Sequence, residues 1–327
     1  MRVLLTGASG LLGRVVAGRL AARGDIEFTA TAFSRAKAPV IKSDLTDPAS
    51  LEALFGATKP EIVIHAAAER RPDIVDTNPE SARALNVSAT KMIAETCARN
   101  GAFLLYISTD YVFDGSNPPY FPDSPVNPIN EYGRLKLEGE RRIIDIMSGG
   151  AAVSHAIAAT QTVASQVAGP QAAILRIPLL YGPVERLDEC SVTELATLLK
   201  KREPCLVEHW AQRYPIHVKD VAEAILRIID AKISNPERLE AARAACGLPV
   251  FLLSGKAAFT KYEMLMIMAK VLGIDASFAH PNSTPPSGAP RPKDCRMDTG
   301  LIESFGYWQH SAFETEIRNI LGPFFKS

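Results

Sequence analysis

Short apolar runs recur along the first half of the chain. Each is closed by small or polar residues and followed by a stretch of helical period. Val3-Leu4-Leu5 comes first, then 26–33 (IEFTATAF), 40–45 (VIKSDL), 61–65 (EIVIH), 102–108 (AFLLYIS) and 174–178 (ILRIP). These runs are short and continuous, the pattern of strands buried on both faces. Between them, Leu11, Val15, Val16 and Leu20 share one helical face, as do Leu51, Leu54 and Phe55. Asp47-Pro48 is a start signal for that second helix, with Asp44 an alternative cap. A long helix is predicted over 81–100 and another opening at Glu131. Alternating strands and helices predict an α/β fold with a doubly wound parallel sheet. Beyond Gly182 the alternation fades. Helices are expected over 191–201, 222–231, 261–272 and 311–325, and a strand over 250–254. The stretch 148–173 is rich in Ala, Ser, Gly and Thr and reads as a surface excursion, with His155 a surface residue.

The opening, MRVLLTGASGLLG, places a glycine-rich turn between the first strand and the first helix. Gly7 suits the tight turn, Gly10 close approach of a pyrophosphate, and Gly13 the packing of helix on strand. Thr6, Gly7, Ser9, Gly10, Leu11, Leu12 and Gly13 are therefore candidate dinucleotide contacts, with the helix N-terminus facing the phosphates. After the second strand stand Ser34 and Arg35, where NAD-selective units carry a carboxylate for the ribose 2′-hydroxyl. A serine and an arginine suit a 2′-phosphate, so NADP is expected and NAD is less favoured. The spacing TGxxGxxG resembles that of extended short-chain dehydrogenases/reductases. That resemblance places Asp44 and Leu45 beside the adenine, Ala66, Ala67 and Ala68 along the cofactor, and Asn86 at the active-site end of its helix. Ser108, Ile177 and Pro178 complete the expected cofactor contacts.

Ser108-Thr109-Asp110-Tyr111 closes the fifth run, and Glu131-Tyr132-Gly133-Arg134-Leu135-Lys136 opens the next helix. Tyr132 and Lys136 are four apart and share a helical face. A neighbouring ammonium and a nicotinamide cation both favour phenolate, so the Tyr132 pKa is expected to be lowered. Tyr132 is then the group that exchanges a proton as hydride moves, and Lys136 holds the ribose hydroxyls. Thr109 is expected to hydrogen-bond the substrate oxygen, with Asp110 a candidate proton relay. Arg70 and Arg71, just past a strand's C-terminal end, and Arg291 in a Pro-rich loop are candidate ligand contacts.

The rest of the composition narrows the class. The 327 residues carry no formal net charge, which gives no sign of a nucleic-acid or membrane surface. Cys97, Cys190, Cys205, Cys246 and Cys295 are scattered, with no CxxC pair, so reduced thiols and no zinc site are expected. His209 and His217 lack metal-ligand company and read as structural or substrate contacts. The opening apolar run is too short for a signal peptide and no stretch is long enough to span a bilayer, so a soluble cytoplasmic protein is expected.

Taken together, the glycine turn, STDYVFDG, the YxxxK pair, RIPLLYG, HVKDVA and the Arg-Pro loop resemble the dTDP-4-dehydrorhamnose reductase family over nearly the whole chain. The resemblance implies a Rossmann-type NADP-binding domain over 1–182, interrupted by 148–173. It also implies a smaller C-terminal substrate lobe, mainly 183–310, with 216–232 returning to the first domain and 311–327 a closing helix. Within the family, HAAAERRPD, DYVFDGSNPPY and HWAQRYPIHVKDVA are similar to the branch of regulatory β subunits of methionine adenosyltransferase. In bacterial reductases the alanines usually run into a Thr-Ala-Val-Asp type of segment, whereas here Glu69-Arg70-Arg71-Pro72-Asp73 follows. This branch implies a methionine adenosyltransferase catalytic subunit as partner, reached in those β subunits by a short tail beyond the last helix. The alternative is an NADPH-dependent reductase of a nucleotide-linked 4-keto-6-deoxy sugar. The intact triad leaves the question of catalysis open.

Overall fold

The protein is described by a computed structural model that covers residues 1–147, 169–308 and 311–325. In chain order the elements are β1 (Arg2–Thr6), α1 (Leu11–Ala21), β2 (Glu27–Ala32), β3 (Ile41–Lys42), α2 (Pro48–Thr58) and β4 (Ile62–His65). They continue with α3 (Pro72–Thr77), α4 (Pro79–Arg83), α5 (Thr90–Asn100), β5 (Phe103–Thr109), α6 (Glu131–Met147), β6 (Ala172–Ile177) and β7 (Leu180–Tyr181). The remainder is α7 (Ala196–Lys201), β8 (Cys205–Glu208), β9 (Ile216–His217), α8 (Val218–Ser234), α9 (Pro236–Ala241), β10 (Val250–Leu252), α10 (Lys261–Leu272), β11 (Ala279–Asn282), α11 (Gly300–Ser304) and α12 (Phe313–Phe325).

Seven strands form one parallel sheet in the order β10-β6-β5-β4-β1-β2-β3. The chain winds outward from β1 through β2 and β3, then returns to place β4 on the other side of β1. That reversal opens a crevice at the strands' C-terminal ends, where ligands of such sheets bind. Successive residues serve opposite faces. Val3, Leu5, Ile64, Leu105 and Leu175 pack with Val16 and Leu20 of α1 and with α8. Leu4, Val63, Leu104 and Tyr106 pack with Leu51, Ile93 and Ile143 of α2, α5 and α6. A separate apolar cluster joins Tyr181, Leu199 and Val207 to α10 and α12 through Met264, Leu265, Met268, Phe313, Ile317 and Leu321.

Several local expectations change. The predicted helix over 81–100 is interrupted by a π-helical turn, Ala84–Ala89, which widens the helix around Asn86. Asp47, not Asp44, caps α2, accepting from Ala49 and Ser50; Asp44 instead closes a turn on Thr46. The helix expected over 222–231 begins earlier, at Val218, where the His217 side chain caps it. Of the 148–173 excursion, residues 148–168, His155 included, lie outside the described residues, and Ala172 and Ala173 already belong to β6. Val250–Leu252, within the range read as lobe, forms the edge of the main sheet beside β6.

Candidate functional site

The glycine turn is shaped by contact. A Cβ on Gly7, where φ is +73°, would lie 2.7 Å from the Ala67 nitrogen, and one on Gly13 would lie 2.1 Å from the Gly7 oxygen. Glycine is therefore required at both places, and α1 rides directly on the turn. A Cβ on Gly10 meets only the Gly7 oxygen, at 3.2 Å, among the described residues, so its outer side is open. Gly10 is the N-cap of α1, and among the described residues no side chain caps this helix and no acid stands in its first turn. By contrast, Asp47 caps α2, and Thr260 with Glu263 forms a capping box on α10. An uncapped, sterically open helix start at the sheet's reversal fits the pyrophosphate of a dinucleotide. Thr6 is buried, with its hydroxyl 2.8 Å from His65 Nδ1. Ser9 offers its carbonyl to Arg14. Leu11 and Leu12 begin the helix, and Ala66, Ala67 and Ala68 line the other side of the turn, half-buried.

Ser34 and Arg35 lie exposed just past β2. Leu45 is buried under α2, while Asp44 stays at the rim. Asn86 is fully buried: it accepts from the Glu69 N–H and donates to the Glu69 carbonyl, both at 2.9 Å. It thereby fixes the segment that follows β4. Ile177 ends β6, opposite Thr109 in register, and Pro178 follows it. Ser108 is buried and donates to the Glu140 carboxylate.

Thr109, Asp110, Tyr132 and Lys136 come together at the end of β5 and the start of α6. Gly133 makes this possible, because a Cβ there would lie 2.1 Å from the Tyr111 oxygen. Thr109 Oγ1 donates to Asp110 at 3.1 Å and accepts from the Tyr111 N–H. The Tyr111 and Tyr132 rings meet edge to face, 6.0 Å apart. Burial pushes the Tyr132 phenol above its ordinary range, with the Thr109 hydrogen bond and Arg70 pulling back and Asp110 adding to the rise. Among the protein's own groups, burial thus outweighs the lowering expected from a neighbouring ammonium. Lys136 Nζ is turned onto the Ile107 carbonyl at 2.8 Å and lies 3.9 Å from the centre of the Tyr106 ring. Burial holds the amine itself down to about 7, against the raising influence of Glu140. Asp110 is pushed up to about 7, again mainly by burial. Burial therefore keeps the Tyr132 phenol protonated and able to donate a proton.

Of the three arginines, Arg70 faces Tyr132 and donates to the Glu189 carbonyl. Arg291 pairs with Asp73 at 2.8 Å and bears on Tyr111. Arg71 is turned outward into an exposed pair with Glu69. Two cations were missed in the sequence. Arg213, anchored by Glu208 at 2.6 Å, acts on Asp110 and Tyr111, and Lys261, at the start of α10, is held down by burial beside Arg213. The HWAQRYP block was the only available signal for Arg213. His209 bonds Thr260. Among the described residues no group of acids, histidines and cysteines has metal-ligand geometry, and no helix is long and apolar enough to cross a membrane.

A family described as the RmlD substrate binding domain matches residues 1–325. Methionine adenosyltransferase 2 subunit beta of Xenopus tropicalis is 38% identical over 325 residues, 99% of this chain and 88% of that protein. Among solved structures, a dTDP-4-dehydrorhamnose reductase from Clostridium acetobutylicum superposes with a TM-score of 0.76 at 24% identity, covering 99% of each chain. The Bacillus anthracis dTDP-4-dehydrorhamnose reductase, solved in complex with NADP, gives 0.75 at 22% identity, covering 98% of this chain and 99% of that one. At these identities the two structures speak to the fold.

Proposed function

The chain belongs to the RmlD substrate-binding family, and from that premise we propose that it is a cytoplasmic, NADP-binding regulatory β subunit of methionine adenosyltransferase, supporting S-adenosylmethionine synthesis. The observation that carries this reading is the 38% identity, over 99% of the chain, with a subunit of that name. Residues 1–182 would hold the dinucleotide and 183–310 would form the lobe above it. The Gly10 end of α1 takes the pyrophosphate, and Ser34 and Arg35 take the 2′-phosphate. Lys136 grips the ribose once it swings from the Ile107 carbonyl. In this role the bound nucleotide orders the crevice and the surface that a partner reads. The test is a calorimetric titration of the catalytic subunit from the same organism into NADPH-saturated chain. Saturable binding supports the reading, and absence of heat at micromolar concentrations overturns it.

A second reading is favoured by the assembled Thr109, Tyr132 and Lys136: an NADPH-dependent reductase of a nucleotide-linked 4-keto-6-deoxy sugar. The cofactor would supply hydride to the ketone. Tyr132, kept protonated by burial, gives the ketone oxygen its proton, Thr109 orients that oxygen, and Arg70 and Arg291 bear on the anionic part of the substrate. Equal NADPH consumption by wild type and Tyr132→Phe with dTDP-4-dehydrorhamnose would rule this reading out.

A further inference from the structure

Glu140 stands one helical turn beyond Lys136 on α6, outside the set of residues that line the crevice. Its side chain is 1% exposed. Arg176 of β6 holds it in a two-pronged grip, Nε to Oε1 at 3.0 Å and Nη2 to Oε2 at 2.7 Å. Ser108 of β5 donates to the same carboxylate. Ser108 precedes Thr109 and is paired in register with Arg176. The carboxylate therefore ties the helix that carries Lys136 to the two strands that end at the crevice. Between Lys136 and Glu140, Gly139 lets α6 settle onto β5, since a Cβ there would lie 2.5 Å from the Tyr106 hydroxyl.

Packing alone gives no reason for an ion pair here. The desolvation of two buried charges offsets most of their attraction, and an apolar pair of equal volume is often as stable. What an apolar pair lacks is a negative charge beside Lys136. His65 of β4 and Tyr106 of β5 also face that amine, but His65 is pushed down to about 3 and stays neutral, and Tyr106 is pushed far up and stays a phenol. Among the described residues Glu140 is the acid that acts on Lys136.

We propose that Glu140 is a positioning residue, anchored by Ser108 and countered by Arg176, which holds Lys136 at the depth where it grips the ribose of a nicotinamide dinucleotide and biases it toward the ammonium form. This rests on the reading of the crevice as a nicotinamide dinucleotide site. Removing the charge while keeping the shape, as in Glu140→Gln, moves Lys136 toward the neutral amine. NADPH affinity then falls with rising pH earlier than it does in the wild type.

The test is a fluorescence titration of NADPH into the full chain between about pH 6 and about pH 9. For Glu140→Gln the pH at which affinity declines is expected to move down by about one unit, so that binding is about tenfold weaker above both midpoints, with the gap closing below them. Glu140→Gln/Arg176→Met, which leaves no unpaired buried guanidinium, covers the case in which the single variant does not fold, and it is expected to show the same displaced curve. A merely structural role predicts instead that the double variant regains wild-type affinity at every pH, and that result overturns the proposal. Wild-type curves in either variant overturn it too. A wild type that binds no NADPH at any pH removes the nicotinamide reading itself, and the proposal with it.

Discussion

Replacing Gly13 by alanine is the sharpest local test of the crevice. The added Cβ would stand 2.1 Å from the Gly7 oxygen, 2.7 Å from the Ala8 Cα and 2.8 Å from the Gly7 carbonyl carbon, all backbone atoms. An ordinary contact needs well over 3 Å, so α1 must retreat from the turn by more than about 1 Å. Overpacking of this kind costs about 1–3 kcal/mol. For a chain of this length that lowers Tm by about 1.5–4 °C. The larger effect falls on binding, because the helix start and the turn grip one pyrophosphate and a shift of about 1 Å separates them. NADPH affinity is expected to fall by about tenfold to a hundredfold. Gly18→Ala is the control on the same helix: among the described residues no atom lies within 4 Å of a Cβ there, and the change is expected to stabilise by about 0.5–1 kcal/mol. Differential scanning fluorimetry and NADPH titration read both variants. A Gly13→Ala protein with unchanged Tm and unchanged affinity would refute the reasoning.

Three further outcomes are expected. Asp110, lifted to about 7 in the fold by burial, keeps its proton where the unfolded chain loses it, so stability falls as pH rises from about 4 to about 7. Asp110→Asn flattens that slope: it raises Tm at pH 8 and leaves it nearly unchanged at pH 4, whereas equal Tm for the two proteins at pH 8 contradicts the assignment. Asn86→Ala strips both partners from the Glu69 backbone and costs about 2–4 kcal/mol in urea unfolding; a loss below about 0.5 kcal/mol means the pair carries no weight. Arg35→Glu repels a 2′-phosphate and restores an acceptor for a 2′-hydroxyl, so the NADPH-to-NADH affinity ratio drops at least tenfold; an unchanged ratio removes Arg35 from cofactor choice.

How much was legible follows from the range of each interaction. The strand, glycine turn and first helix could be read because each rests on neighbours in sequence, and the pairing of Tyr132 with Lys136 needed only the helical repeat. The orientation of Lys136 could not be read, since its partner is the Ile107 carbonyl on another element. The rise of the Tyr132 pKa was missed for a related reason: charge proximity was weighed without burial, and burial dominates. Arg176 looked like one polar residue in an apolar run until β6 set it opposite Ser108 and within reach of Glu140. The π turn at Ala84–Ala89 arises where Asn86 must meet the Glu69 backbone, a demand no local propensity encodes. Arg213 and Lys261 act near the crevice only once the lobe has folded, and no local pattern marks either position for that role.

The most direct test of the central claim is co-elution. The purified chain is mixed with the methionine adenosyltransferase catalytic subunit of its own organism, with and without NADPH, and followed by size exclusion with light scattering. A regulatory subunit gives a single peak whose mass is the sum of the two components, more fully formed when NADPH is present. Two separate peaks at micromolar concentrations, unchanged by NADPH, contradict the regulatory role and leave the reductase reading in its place.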